Sequence, residues 1–287
     1  MRRLLPFPLL PQSIRGPLVA LATVALLAHA ASAAIVIGFE TEDDGLTPLV
    51  NGQIVDPAFD AVDPEFGTHF TLTTLQLGSD GHNGATIFDT DPNGPNQGSQ
   101  DPDLLVDRGN ILIFQSDNPG SANDTSVDPV VGLVYDNPND EADFADAGAF
   151  VFSFLSPVEL LSIDFVDANG GFLSNTILTD GSGLTRTYTI PKQWTGDIDT
   201  CGGCQGWDTL DFTTLANQLG EGGGTATALE DVGFDPTDVV GLEIQFLGNP
   251  SSGGVDNLTF VPEPTTGGLL ALGLAGLAAF RRSGARR

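Results

Sequence analysis

At 287 residues the chain can hold one large domain or two small ones. Its 38 acidic residues against 10 basic ones give a formal net charge of −28, which argues against nucleic acid as a partner and favours cations. A hydrophobic content of 40% with 18 Phe argues against a disordered acidic chain and for a packed core.

The first 33 residues read as a signal peptide, 1–33, that addresses the chain to the Sec export machinery. Arg2, Arg3 and Arg15 precede the apolar stretch GPLVALATVALLAHA. Ala31–Ala33 is a small-x-small cleavage site, with Ala28–Ala30 as the alternative. A retained N-terminal membrane helix is the other reading, although the run is shorter than the ~20 apolar residues of a span. Thirty-seven of the 38 acids lie between Ala34 and Val261, with only Arg108, Arg186 and Lys192 as basic residues, so that window carries a net charge of −34.

Within it the pattern has period two. IVIGF from Ile35, FTLTTLQL from Phe70 and ILIF from Ile111 read as strands, as does AFVFSF with Phe150, Phe152 and Phe154 on one face. LSIDFVD places Leu161, Ile163 and Phe165 inward and Ser162 and Asp164 outward. LEIQF sets Leu242, Ile244 and Phe246 against Glu243 and Gln245, and VDNLTF closes the domain. Gly-, Pro-, Asn- and Asp-rich clusters between these runs supply turns and long loops. One helix is expected in WDTLDFTTLANQLG, with Leu210, Leu215 and Leu219 on a shared face and Gly220 as its end. The expected fold is all-β: an antiparallel, jelly-roll-like β-sandwich over 34–260, flanked by the signal helix and a short C-terminal hydrophobic helix.

Several constellations invite chemistry. Asp89, Asp91, Asn93 and Gly94 match the opening of a calcium loop, but Gln100 stands where a bidentate Glu is expected, so a looser calcium loop competes with a solvated acidic turn. Cys201 and Cys204 are the only cysteines; zinc would need two more strong ligands, and only His69 and His82 remain in the window. A local disulfide is the expected state in an exported chain. Trp194 and Trp207 flank that loop and are candidates for binding a sugar, or else cap the core. Asp256 shares strand parity with Leu258 and Phe260, which directs it to the apolar side, where a charge needs a partner. With so few basic residues, a metal cation is the expected partner; backbone amides in a turn are the alternative. No G-x-S-x-G, H-E-x-x-H or P-loop pattern occurs.

The C-terminal segment, 261–287, has three parts. Val261-Pro262-Glu263-Pro264 is stiff, Thr265 to Phe280 is uncharged, and Arg281, Arg282, Arg286 and Arg287 form a positive cluster that stays cytoplasmic. Sixteen uncharged residues, about 265–280, make a short transmembrane segment. This order resembles the PEP-CTERM sorting signal of Gram-negative bacteria. The resemblance implies an exosortase-type sorting protease as partner, transient residence in the inner membrane, cleavage near the Pro-Glu-Pro, and delivery to the cell surface or extracellular matrix.

The opening GFE and closing VDNLTF resemble β-sandwich carbohydrate-binding modules. That resemblance implies a structural Ca2+ held by Glu40 and Asp256. The sequence thus points to a non-enzymatic, calcium-stabilised surface or matrix protein with a structural or adhesion role. A carbohydrate-binding module acting on exopolysaccharide, and a glycoside hydrolase or lyase, are the alternatives.

Overall fold

The computed structural model describes residues 33–55, 66–76, 81–97, 102–117, 134–135, 138, 148–168, 174–192, 194–196, 201–247 and 253–263. The signal helix and the C-terminal hydrophobic helix lie outside these residues, as do Pro264, Arg281, Arg282 and Gln100. A single compact unit spans Ala34–Glu263.

The strands are β1 (Ile35–Ile37), β2 (Phe70–Gln76), β3 (Gly81–Asp89), β4 (Asn110–Asp117), β5 (Gly148–Val166) and β6 (Ser174–Asp180). They continue with β7 (Thr185–Ile190), β8 (Trp207–Asp211), β9 (Gln218–Leu219), β10 (Thr225–Glu230), β11 (Val239–Phe246) and β12 (Gly254–Pro262). Every pairing among them is antiparallel, in the order β3-β4-β12-β5-β11-β6-β7-β10-β9, with β1 beside β12 and both β2 and β8 beside β5. The all-β, antiparallel architecture expected from the period-two pattern is the one observed.

The long strand β5 joins two halves. Its first part lies between β2 and β11, and its second between β8 and β12. The change of neighbours falls at a register shift, where Gly241 faces Ser153 but Val239 faces Val158. Pro157 sits in the extra residues of that irregularity, where its missing N–H breaks no ladder bond. Both halves line one core, in which Phe150, Phe152, Phe165, Phe246 and Phe260 are buried with Tyr188 and Trp194. Edge-to-face ring pairs such as Phe70–Phe152, with centroids 5.2 Å apart, order it. A smaller second core of Phe88, Leu104, Ile111, Ile113 and Val166 lies on the opposite face, under a 3-10 turn at Pro102–Leu104.

Two expectations are corrected. The helix over WDTLDFTTLANQLG is absent. Trp207–Asp211 is β8, paired with Ser162–Val166, and the chain then turns where Asp211 Oδ1 accepts the Thr213 N–H at 2.7 Å. Leu210 is buried, whereas Leu215 and Leu219 are 47% and 74% exposed, so no helical face exists. Asp164 does point away from Ile163 and Phe165, but it is only 6% exposed because the outer face is covered there. Leu161 is only half-buried, at a second register shift that moves core-facing positions from Leu160 to Ile163.

Candidate functional site

A buried polar cluster is built on the outer face of β8, β5 and β12. Thr209, Asp164 and Asp256 form one cross-strand row. Asp256 arrives there through a bulge. Asp256 pairs with Asp164 but Thr259 pairs with Ser162, and Asn257 takes φ 50°, a left-handed conformation that Asn tolerates. The bulge switches parity. Val255, Leu258 and Phe260 face the main core, and Asp256 faces the other side. The expectation that Asp256 shares a face with Leu258 and Phe260 is therefore corrected, although at 2% exposure it is buried as expected.

The covering segment comes from the chain before β4. Leu104, Leu105 and Val106 anchor it on the second core. The Arg108 N–H donates to Thr90 Oγ1 at 2.7 Å, and the Thr90 N–H to Gly109 O at 2.9 Å. Gly109, at φ 80°, packs so closely on Glu40 Oε1 that no Cβ fits. That same oxygen accepts the Asn110 N–H at 2.9 Å.

These contacts aim Arg108 into the row. Its Nη2 donates to Asp164 Oδ2 and lies 3.5 Å from Asp256 Oδ2. Its guanidinium stacks on Trp207, 3.8 Å from the ring centroid. Asn257 Nδ2 donates to Asp164 Oδ2 at 2.9 Å and to Asp256 Oδ2 at 3.1 Å, and Thr209 Oγ1 donates to Asp164 Oδ1. Burial pushes the Asp256 carboxyl up to about 7, against the lowering effect of the Asn257 N–H and Arg108; Asp164 and Glu40 add to the rise. The positive partner observed at Asp256 is thus Arg108. Glu40 and Asp256 are brought within electrostatic reach of each other. Among the described residues no three His, Cys, Asp or Glu side chains are grouped to hold a metal ion. Glu40 also borders a groove of about 370 Å³ beside β1 that presents Glu42, Asp43 and His69.

The other expected sites fall elsewhere. Asp89 Oδ1 accepts the Asp91 N–H at 2.9 Å and Asp91 Oδ1 accepts the Asn93 N–H at 2.8 Å, so this loop is a pair of Asx turns. The buried Asn96 holds it to Asn51 and to Asp89 O. Cys201 and Cys204 are joined by a disulfide. Trp194 and Trp207 do not form a shared platform. Trp194 is 1% exposed, set edge-on to Phe165 with its Nε1–H on Gln218 O at 3.2 Å, so its ring has no face for a sugar. Trp207 is partly exposed and carries Arg108 on one face.

Reasoning from residue types alone missed Arg108 and Arg186 as structural centres. Arg186 is buried, donates through Nε to Glu230 Oε2 and through Nη1 to Phe212 O, both at 2.7 Å, and lies over Phe234. The signal was their scarcity: in a window with three basic residues, each of the two arginines pairs with acids, Arg186 buried and Arg108 partly buried.

The second notable place is the end of β12. Phe260 is buried opposite Ile35, Val261 and Pro262 pair with Glu159 and Val158, and the Glu263 N–H donates to Pro157 O at 3.1 Å. The sheet therefore continues past Phe260, where the sandwich was expected to end. Residues 260–283 match the family model of the PEP-CTERM protein-sorting motif. No curated protein matches the chain. The C-terminal end carries a PEP-CTERM sorting motif, which marks an exported protein that is anchored in the membrane transiently and processed by an exosortase.

Proposed function

We propose that the protein is a non-enzymatic component of the cell surface or extracellular matrix of a Gram-negative bacterium, with a structural or adhesion role. The observation that carries this reading is the sorting motif at residues 260–283, whose first residues overlap the end of a folded all-β unit. The polar cluster supports a structural role, since Asp164 and Asp256 are buried and their hydrogen bonds run to residues of the fold itself. The test is Glu263→Ala combined with Pro264→Ala in a host that has the sorting enzyme. The precursor should accumulate unprocessed and surface delivery should fall; unchanged processing would refute the sorting reading.

Calcium belongs to the same proposal, as a stabiliser of a strongly acidic domain. Its support is the net charge of −34 between Ala34 and Val261. A chelator should lower the melting temperature of the mature domain by several degrees, and an unchanged melt would remove calcium from the account.

A further inference from the structure

The sorting motif and the last strand of the fold overlap. Phe260, the first residue of the motif, is buried in the core, with its ring 5.5 Å from Phe154 and 5.6 Å from His69. The next residues remain in the ladder: Val261 faces Glu159, Pro262 faces Val158, and the Glu263 N–H donates to Pro157 O. No spacer separates folded sheet from recognition sequence. An extended peptide recognised by strand addition offers its own backbone edge to the binding partner. Here one edge is already taken by β5.

We infer that the docked end of β12 is a gate on processing: the sorting enzyme takes the junction only after Val261–Glu263 has lifted away from Pro157–Glu159. The inference rests on the sorting reading above. Strand ends open at low free energy compared with global unfolding, and cleavage of a transiently open segment follows its open population when opening and closing are fast. β5 makes this opening local. The β12–β5 register shifts between Thr259 and Phe260, so the end of β12 is held on that side only by the short stretch Phe260–Pro262 against Leu160–Val158. Ile35 of β1 pairs with Phe260, so on the opposite edge the register with β1 stops before Val261.

The test uses the full-length precursor in a host with the sorting enzyme. Glu159→Cys with Val261→Cys places two cysteines at a cross-strand pair, and their oxidation locks the strand end. Processed product should be lost in the oxidised form and return on brief reduction, with the parent chain given the same reductant as control. Equal processing of oxidised and reduced forms would overturn the gate. A second variant inserts about six Gly and Ser residues between Phe260 and Val261, which frees the motif from the ladder. It should be processed faster than the parent, and an equal rate would again overturn the gate. If Glu263→Ala with Pro264→Ala also leaves processing unchanged, the sorting reading fails instead.

Discussion

Asp256 lies directly across from Asp164 in the β12–β5 ladder, and one arginine, Arg108, faces both carboxylates. Like charges at directly opposed positions repel, so the pair depends on Arg108 and on the bridging amide of Asn257. The arginine comes from the segment that covers the outer face. The cluster therefore couples a local charge balance to the seating of that segment on the second core.

Arg108→Ala leaves two buried acids without their positive partner. It should destabilise the domain by about 3–5 kcal/mol, the usual cost of breaking a buried pair from one side. Arg108→Lys should recover only part of this, because an ammonium lacks the planar stack on Trp207 and the forked donors. Urea denaturation of both variants checks the order.

The raised carboxyl of Asp256 gives stability a defined pH dependence. Its folded value of about 7 lies above the ordinary 3.8, so the folded state holds a proton that the unfolded state has released. This contribution is full below about 4 and declines as pH rises toward 7, by up to ~1.4 kcal/mol per pH unit. Asp256→Asn should flatten the stability curve between those limits. Denaturation midpoints measured every half unit of pH would reveal an unflattened curve if Asp256 does not titrate there.

Asp180 behaves in the opposite sense. The Asp235 N–H, followed by the Ser182 hydroxyl, holds its carboxyl down at about 2, with the Leu184 and Ser182 amides adding to the effect. Its contribution is present above the ordinary 3.8 and is lost as pH falls toward 2. Asp180→Ala should lower the melting temperature at neutral pH and shrink that difference in strong acid. Equal differences at both pH values would contradict the assignment.

Trp194→Ala should cost about 3–5 kcal/mol, as expected for emptying an aromatic site in a core. Trp207→Ala should cost less, because its ring is partly exposed, but should also weaken the seating of Arg108. Loss of glycan binding in the Trp194 variant would therefore report unfolding; a sugar site is tested at Trp207, with the fold of the Trp207→Ala variant checked alongside. Circular dichroism melts of the two variants separate these effects.

The sequence alone was enough for the strand content and for the address. Alternation at Phe150, Phe152 and Phe154, or at Leu242, Ile244 and Phe246, is a local signal, because each strand residue alternates faces whatever its neighbours are. The sorting motif is likewise linear: its Pro-Glu-Pro, apolar run and arginines are read in order along the chain. Burial of Asp164, the parity of Asp256 and the fate of Trp194 were decided by tertiary structure. A bulge at Asn257 reverses a face, a covering segment buries an outward residue, and Arg108 meets an acid 148 positions away. None of these leaves a periodic trace, since each depends on register between strands distant in sequence. The same holds for the end of β12, where only pairing with β5 reveals that Val261-Pro262-Glu263 serves the fold as well as the sorting signal.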